Sequence, residues 1–173
     1  MRRRRGRPVS GVLLLDKPTG VSSNHALQTA RRLLNAAKAG HTGTLDPLAS
    51  GLLPLCFGEA TKVSQFLLGA DKTYRARARL GTTTTTGDSE GEVLRQRPVA
   101  VDAARLAAAL AAHTGDLLQV PPMYSALKQG GERLYTLARR GETVERPARP
   151  VHVSRLELME FDESGFEVEL DCS

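Results

Sequence analysis

Tryptophan is absent from this chain and aromatic residues make up only 4% of it, so aliphatic side chains and alanine must fill its core. Only two cysteines occur, Cys56 and Cys172, with neither metal-ligand nor redox spacing. That excludes a disulfide scaffold and a thiolate metal site, and predicts two buried thiols in a reducing cytoplasm. No apolar run approaches the ~20 residues that a membrane-spanning helix needs. The leucines at 13–15 run straight into Asp16 and Lys17, too short a stretch to serve as a signal-peptide core behind the basic start. There is no phosphate-binding P-loop, no dinucleotide fingerprint and no paired metal-ligand motif, so nothing in the residues calls for a nucleotide, flavin or metal. Internal repeats and linker-like segments are also missing.

What is present is a chain of 173 residues, 40% hydrophobic and 25% charged, values that fit one globular domain with a core. The formal net charge is +5, and arginine greatly outnumbers lysine. A basic surface favours polyanions, and the guanidinium fork suits phosphate. Genomic base composition is an equal explanation of the arginine excess. Residues 1–9 open with four consecutive arginines and are expected to form a disordered basic arm, either touching RNA backbone or solvated without a specific role.

Periodicity predicts the elements between. Residues 11–15 read as a strand, and Ser22, Ser23 and Asn24 offer caps for a helix to about Asn35. An apolar strand is expected over 52–57. A helix is expected over 59–68 with Ala60, Val63, Phe66 and Leu67 inward. Residues 73–80 alternate, with Tyr74, Ala76, Ala78 and Leu80 on one face and Arg75, Arg77 and Arg79 on the other, a solvated face or an RNA contact. The threonine-rich stretch 81–91 has no period and reads as a mobile loop. Asp102 caps a helix to about His113, and a short strand over 116–120 ends at Pro121-Pro122. A short helix runs from Arg133 to Gly141, and Arg139, Arg140, Arg146 and Arg149 cluster near Pro147 and Pro150. Two strands, 151–159 and 166–171, flank a turn at 162–165. The fold class expected is α+β, a mixed and largely antiparallel sheet flanked by helices.

The most informative stretch is Gly40-His41-Thr42-Gly43-Thr44-Leu45-Asp46-Pro47-Leu48-Ala49-Ser50-Gly51. One carboxylate, Asp46, stands between two glycine-bearing turns and directly before a proline. Pro47 fixes its own backbone and restricts Asp46 to extended conformations. The surroundings carry almost no competing charge, so the segment looks built to hold one acid in place. Asp-Pro alone is also an ordinary turn initiator.

This loop resembles the signature loop of the TruB family of tRNA pseudouridine synthases. The resemblance extends, in order, to Gly11-Val12-Leu13-Leu14-Leu15-Asp16-Lys17-Pro18, to Gly58-Glu59-Ala60-Thr61-Lys62, to Asp71-Lys72-Thr73-Tyr74 and to Pro122-Met123-Tyr124-Ser125-Ala126-Leu127-Lys128. It covers roughly residues 10–173, and five ordered blocks are far more specific than one.

The resemblance implies a pseudouridine synthase fold and isomerisation of uridine to pseudouridine in the T-loop of tRNA, usually at uridine 55. Asp46 would be the catalytic residue. Tyr74 would pack on the flipped base, and His41 would insert near the flipped nucleotide, its rival role being a turn histidine bonding local backbone. Lys17 and Lys62 would contact phosphate or, equally, be solvated or capping lysines. Residues 121–150 would form an insertion that grips the tRNA through Arg139, Arg140, Arg146 and Arg149. No cofactor, metal, membrane or protein partner is implied, and the location would be cytoplasmic. In the family the last strand continues into Lys-Gly-Thr-Tyr-Ile-Arg, which brings a second active-site tyrosine and a basic partner for the aspartate. Residues 10–173 are therefore expected to be a truncated catalytic domain, poorly stable and weakly active alone. The rival reading, from the basic surface and that absent motif, is a non-catalytic RNA-binding or RNA-remodelling module. A hydrolase using one carboxylate lacks a convincing second acid.

Overall fold

The structure is a computed structural model that describes residues 6–125 and 127–173. The arginine cluster at 2–5 and Ala126 of the Pro122–Lys128 block lie outside the described residues. The chain divides into two compact units, Met1–Ala70 and Asp71–Ser173.

In the first unit, strand β1 (Gly11–Lys17) leads to helix α1 (Ser23–Leu33), then to β2 (Ala39–His41) and β3 (Gly51–Phe57). The strands form one antiparallel sheet in the order β1-β3-β2. Alternate residues of β3, Leu53, Leu55 and Phe57, are almost fully buried and pack with Ala26 and Leu27 of α1 and with Ala36. This is the period-two logic of a strand meeting the apolar stripe of a helix. Pro54 sits in the central strand but beyond the end of β2, where the ladder runs out. Its carbonyl still accepts from the Thr42 N–H at 3.1 Å. Of the three cap candidates it is Ser22 that caps α1, accepting from the His25 N–H at 3.2 Å. Asn35, at φ 47°, ends the helix in the left-handed region.

Two expectations change in this unit. Residues 6–9, expected as part of a disordered arm, are ordered. The Arg7 N–H donates to Asn35 O at 2.5 Å, the Ala37 N–H donates to Arg7 O at 2.9 Å, and Val9 packs on the core. The chain after α1 supplies the backbone partners that composition could not reveal. The single helix expected over 59–68 is instead a 3₁₀ turn (Gly58–Lys62) and a five-residue helix α2 (Ser64–Leu68). Thr61 and Ser64 hydroxyls donate back to the Gly58 and Thr61 carbonyls at 2.9 and 2.8 Å, tightening the turn. Val63, Phe66 and Leu67, expected to face inward, are exposed as a result.

The second unit contains β4 (Lys72–Arg79), β5 (Thr82–Thr84), β6 (Val93–Gln96), helix α3 (Ala103–Ala111) and β7 (Gly115–Gln119). Two-residue strands β8 (Lys128–Gln129) and β9 (Glu132–Arg133) precede α4 (Leu134–Arg139) and the long hairpin β10 (Arg149–Asp162) and β11 (Gly165–Cys172). The main sheet is antiparallel, in the order β4-β11-β10-β7. Leu106 of α3, Val153 of β10 and Val168 of β11 are buried, as are Leu134 and Leu137 of α4. Asp102 caps α3 as expected, accepting from the Arg105 N–H at 2.8 Å.

The stretch 81–91, read as a mobile loop, is instead part of a hairpin. β5 pairs with β6, and the connection is tied by Thr84 and Thr86 hydroxyls donating to Asp88 at 2.7 and 2.5 Å. Threonine has strand propensity that a missing apolar period conceals. The arginine face of β4 is neither free nor simply solvated. Arg75 pairs with Glu167 and Glu169 at 3.6 and 3.5 Å, and Arg77 with Asp162 at 2.7 Å. On the same sheet Arg155 pairs with Glu169 and Asp171 at 2.8 and 2.6 Å. The acids alternate along β11 in register with the arginines of β4.

Candidate active site

The loop between β2 and β3 is tethered on both sides of Asp46. Before it, Leu45 is gripped by Ser23 in the first turn of α1. The Leu45 N–H donates to Ser23 Oγ at 2.9 Å, and that hydroxyl donates to Leu45 O at 3.0 Å. After it, Pro47 O accepts from the Gly20 N–H at 2.7 Å. The Ala49 N–H closes a turn onto Asp46 O at 3.1 Å. Between these tethered neighbours Asp46 is exposed.

Lys17, left open in the sequence between a phosphate contact and a solvated or capping lysine, supports the second tether. The side chain is fully buried, and its ammonium donates to Pro18 O at 2.9 Å and Val21 O at 2.8 Å. It therefore braces the 18–21 turn from which Gly20 reaches Pro47. Lysine is almost never buried unpaired, and here two carbonyls compensate the charge.

His41, at the end of β2, donates from Nδ1 to Gly43 O at 2.5 Å. This is the local backbone bond that the turn reading anticipated, and it leaves Nε2 as the ring's other polar atom. Gly43 has φ 84°, a conformation that disfavours any side chain. Lys62 is exposed and ion-paired with Glu59 in the 3₁₀ turn.

The remaining candidates belong to the second unit. Tyr74 lies on β4 opposite Leu170 and is 41% exposed. Burial, and secondarily Cys172, pushes its phenol up, so it stays neutral. All four arginines in 139–149 have contacts within the protein. Arg140 pairs with Glu132 and Glu142, both at 2.7 Å. Arg146 donates to Pro121 O at 2.7 Å and Val144 O at 2.8 Å. Arg149 donates to Gln119 Oε1 at 3.0 Å. Arg139 lies 5.5 Å from the Tyr135 ring centre. The tip of the β5–β6 hairpin and the 122–124 block line a cleft of about 410 Å³.

The structure thus gathers Asp46, His41 and Lys17 around one loop, with Lys62 elsewhere in the same unit and Tyr74 and the arginines in the other. The reading from sequence missed Ser23 and Gly20 as supports of Asp46. Two adjacent serines before a helix were the available signal, since only one of them can be the cap. Of the two cysteines, Cys56 is buried, with its thiol pushed up by desolvation, but Cys172 is half-buried.

Comparison with known proteins defines the class. The fold matches a chain in the crystal structure of a Cbf5-Nop10-Gar1 complex, with TM-score 0.68 and 25% identity over 99% of this chain and 46% of that one. It also matches a chain in an H/ACA RNP bound to a substrate RNA containing 2'-deoxyuridine, with TM-score 0.66 and 24% identity over 99% and 44%. These likenesses confirm the α+β, pseudouridine synthase type of fold. Residues 31–173 match the family model described as TruB family pseudouridylate synthase (N terminal domain), and the chain belongs to that family. It is 61% identical over 173 residues to tRNA pseudouridine synthase B of Chromohalobacter salexigens, covering 99% of this chain and 56% of the relative. It is 60% identical over 167 residues to the protein of the same name from Ectopseudomonas mendocina, covering 96% and 55%. The chain spans about half the length of the relatives it matches.

Proposed function

We propose that this protein is a tRNA pseudouridine synthase that isomerises a T-loop uridine, uridine 55, with Asp46 as the catalytic carboxylate. The observation that carries the proposal is the double tether of an exposed aspartate, in a chain whose family is pseudouridylate synthases. The reaction breaks the N1–C1′ bond of uridine and joins C1′ to C5; C5 loses its hydrogen as a proton and N1 gains one. Electrons and atoms balance within the nucleoside, so no redox partner is required. A carboxylate serves such chemistry as nucleophile or as stabiliser of positive charge. Reaching it requires the base to leave its stack, at a cost of a few kcal/mol that RNA contacts must offset. In this reading Tyr74 stacks on the base, as a neutral, half-exposed ring can. His41 presents Nε2 toward the nucleotide, while Lys62 and the exposed Arg139 take phosphate. Lys17 acts indirectly, by bracing the loop. The protein would work on tRNA in the cytoplasm.

The test is pseudouridine mapping in an unmodified tRNA transcript incubated with the protein at its relatives' full length. Product at uridine 55 is expected. Tight tRNA binding without product would support the RNA-binding module instead.

A further inference from the structure

We infer that Ser23 is a positioning residue that sets the catalytic geometry of Asp46 by clamping the backbone of Leu45. The inference rests on the synthase reading for its kinetic consequence, but the clamp itself stands on geometry. The hydroxyl of Ser23, a residue only 2% exposed, both accepts from and donates to one residue 22 positions away, at 2.9 and 3.0 Å. Leu45 is held twice, because its side chain also packs against the core formed by Leu27, Leu53 and Leu55. The next residue is Asp46, and the one after is a proline with fixed φ whose carbonyl is bonded to Gly20. The Asp46 backbone is thereby suspended between two anchored neighbours, and among the described residues Ser23 is the one side chain that hydrogen-bonds the near anchor.

Serine suits this place for a physical reason. It is the smallest side chain that both donates and accepts. Alanine does neither, and threonine adds a methyl group where almost no space is exposed. Ser23 is also separable from the helix it stands on. The adjacent Ser22 caps α1, so the stability of the helix start and the grip on the loop are carried by different residues. Misplacement of a reacting group by ~1 Å can cost about 100-fold in rate without altering the reacting group itself.

The experiment compares wild type, Ser23→Ala, Ser23→Thr and Ser22→Ala in the full-length protein. Each is assayed for pseudouridine formation, for KM toward tRNA, and for hydrogen exchange at the Leu45 amide. Ser23→Ala is expected to lower kcat about 100-fold with KM near wild type, and to speed Leu45 exchange. Ser23→Thr should recover part of both. Ser22→Ala should weaken the helix while leaving kcat and Leu45 exchange near wild type. A Ser23→Ala variant with wild-type kcat, or with a loss no larger than that of Ser22→Ala, overturns the inference. If the wild-type protein makes no pseudouridine, the synthase reading has failed. The clamp is then judged by exchange alone, and unchanged Leu45 exchange in Ser23→Ala overturns it.

Discussion

At the scale of single residues, few groups fix the backbone beside one carboxylate: Ser23 bonds Leu45, and Gly20 bonds Pro47. Lys17 is the clearest case of a residue whose type misleads. Lysine in a loop motif of a basic protein invites a phosphate, yet this one is buried and holds two carbonyls. Replacing it with methionine keeps the apolar stem and removes both donors. The expected cost is about 2 kcal/mol, measured by denaturant unfolding, since two carbonyls lose their partner. Lys62→Ala, in contrast, breaks only an exposed ion pair and should leave stability nearly unchanged while weakening RNA binding. Asp46 stood out in the sequence as a lone acid before proline amid glycines, but Asp-Pro alone is an ordinary turn initiator, and its proposed role came from the family resemblance of the whole loop. The role of Ser23 was not legible. A one-dimensional pattern offers three cap candidates in a row, and only the orientation of α1 against the loop shows which serine faces in.

At the scale of elements, the strands β1, β3, β4, β7, β10 and β11 and the two longest helices form where apolar periods predict them, and the hairpin β10–β11 follows its turn. Asp162 Oδ1 accepts from the Ser164 N–H at 2.7 Å, from the Ser164 hydroxyl at 2.5 Å and from the Gly165 N–H at 3.0 Å. The Ser164 bonds, with help from Arg77 and Gly165, pull the Asp162 carboxyl down to about 2. A depressed pKa contributes stability that is present above the ordinary carboxylate value and lost as pH falls toward about 2. Thermal melts should therefore show Asp162→Asn below wild type near neutrality, with the gap closing across that acid window. Gly165 faces the β4 backbone so closely that a Cβ would collide with the Ala78 carbonyl oxygen. Gly165→Ala should disrupt the β4–β11 pairing, read as lost amide protection in both strands. Ser22→Ala should cost the first unit about 1 kcal/mol. The failures of pattern reading share one cause. Over 59–68 side-chain hydroxyls reshape the backbone, and over 81–96 polar threonines pair as strands. Hydrophobic periodicity is blind to both.

At the scale of the whole chain, charge and apolar exposure matter most. The formal net charge is +5, but much of the arginine surface on the main sheet is already neutralised by glutamates and aspartates. Composition could not show that pairing, which needs the β4–β11 register. Leu33, Phe66 and Leu118 are each more than 70% exposed, and Leu14 and Leu52 more than 60%. Apolar surface of this kind marks contact sites or weak packing. The 173-residue chain alone is accordingly expected to melt broadly and to bind the dye ANS, whereas a sharp cooperative transition would speak against it. The most direct test of the central claim is turnover by Asp46→Asn beside wild type, in the full-length protein on unmodified tRNA transcript. The variant is expected to bind tRNA as wild type does and to make no detectable pseudouridine. Wild-type turnover by Asp46→Asn would contradict that claim.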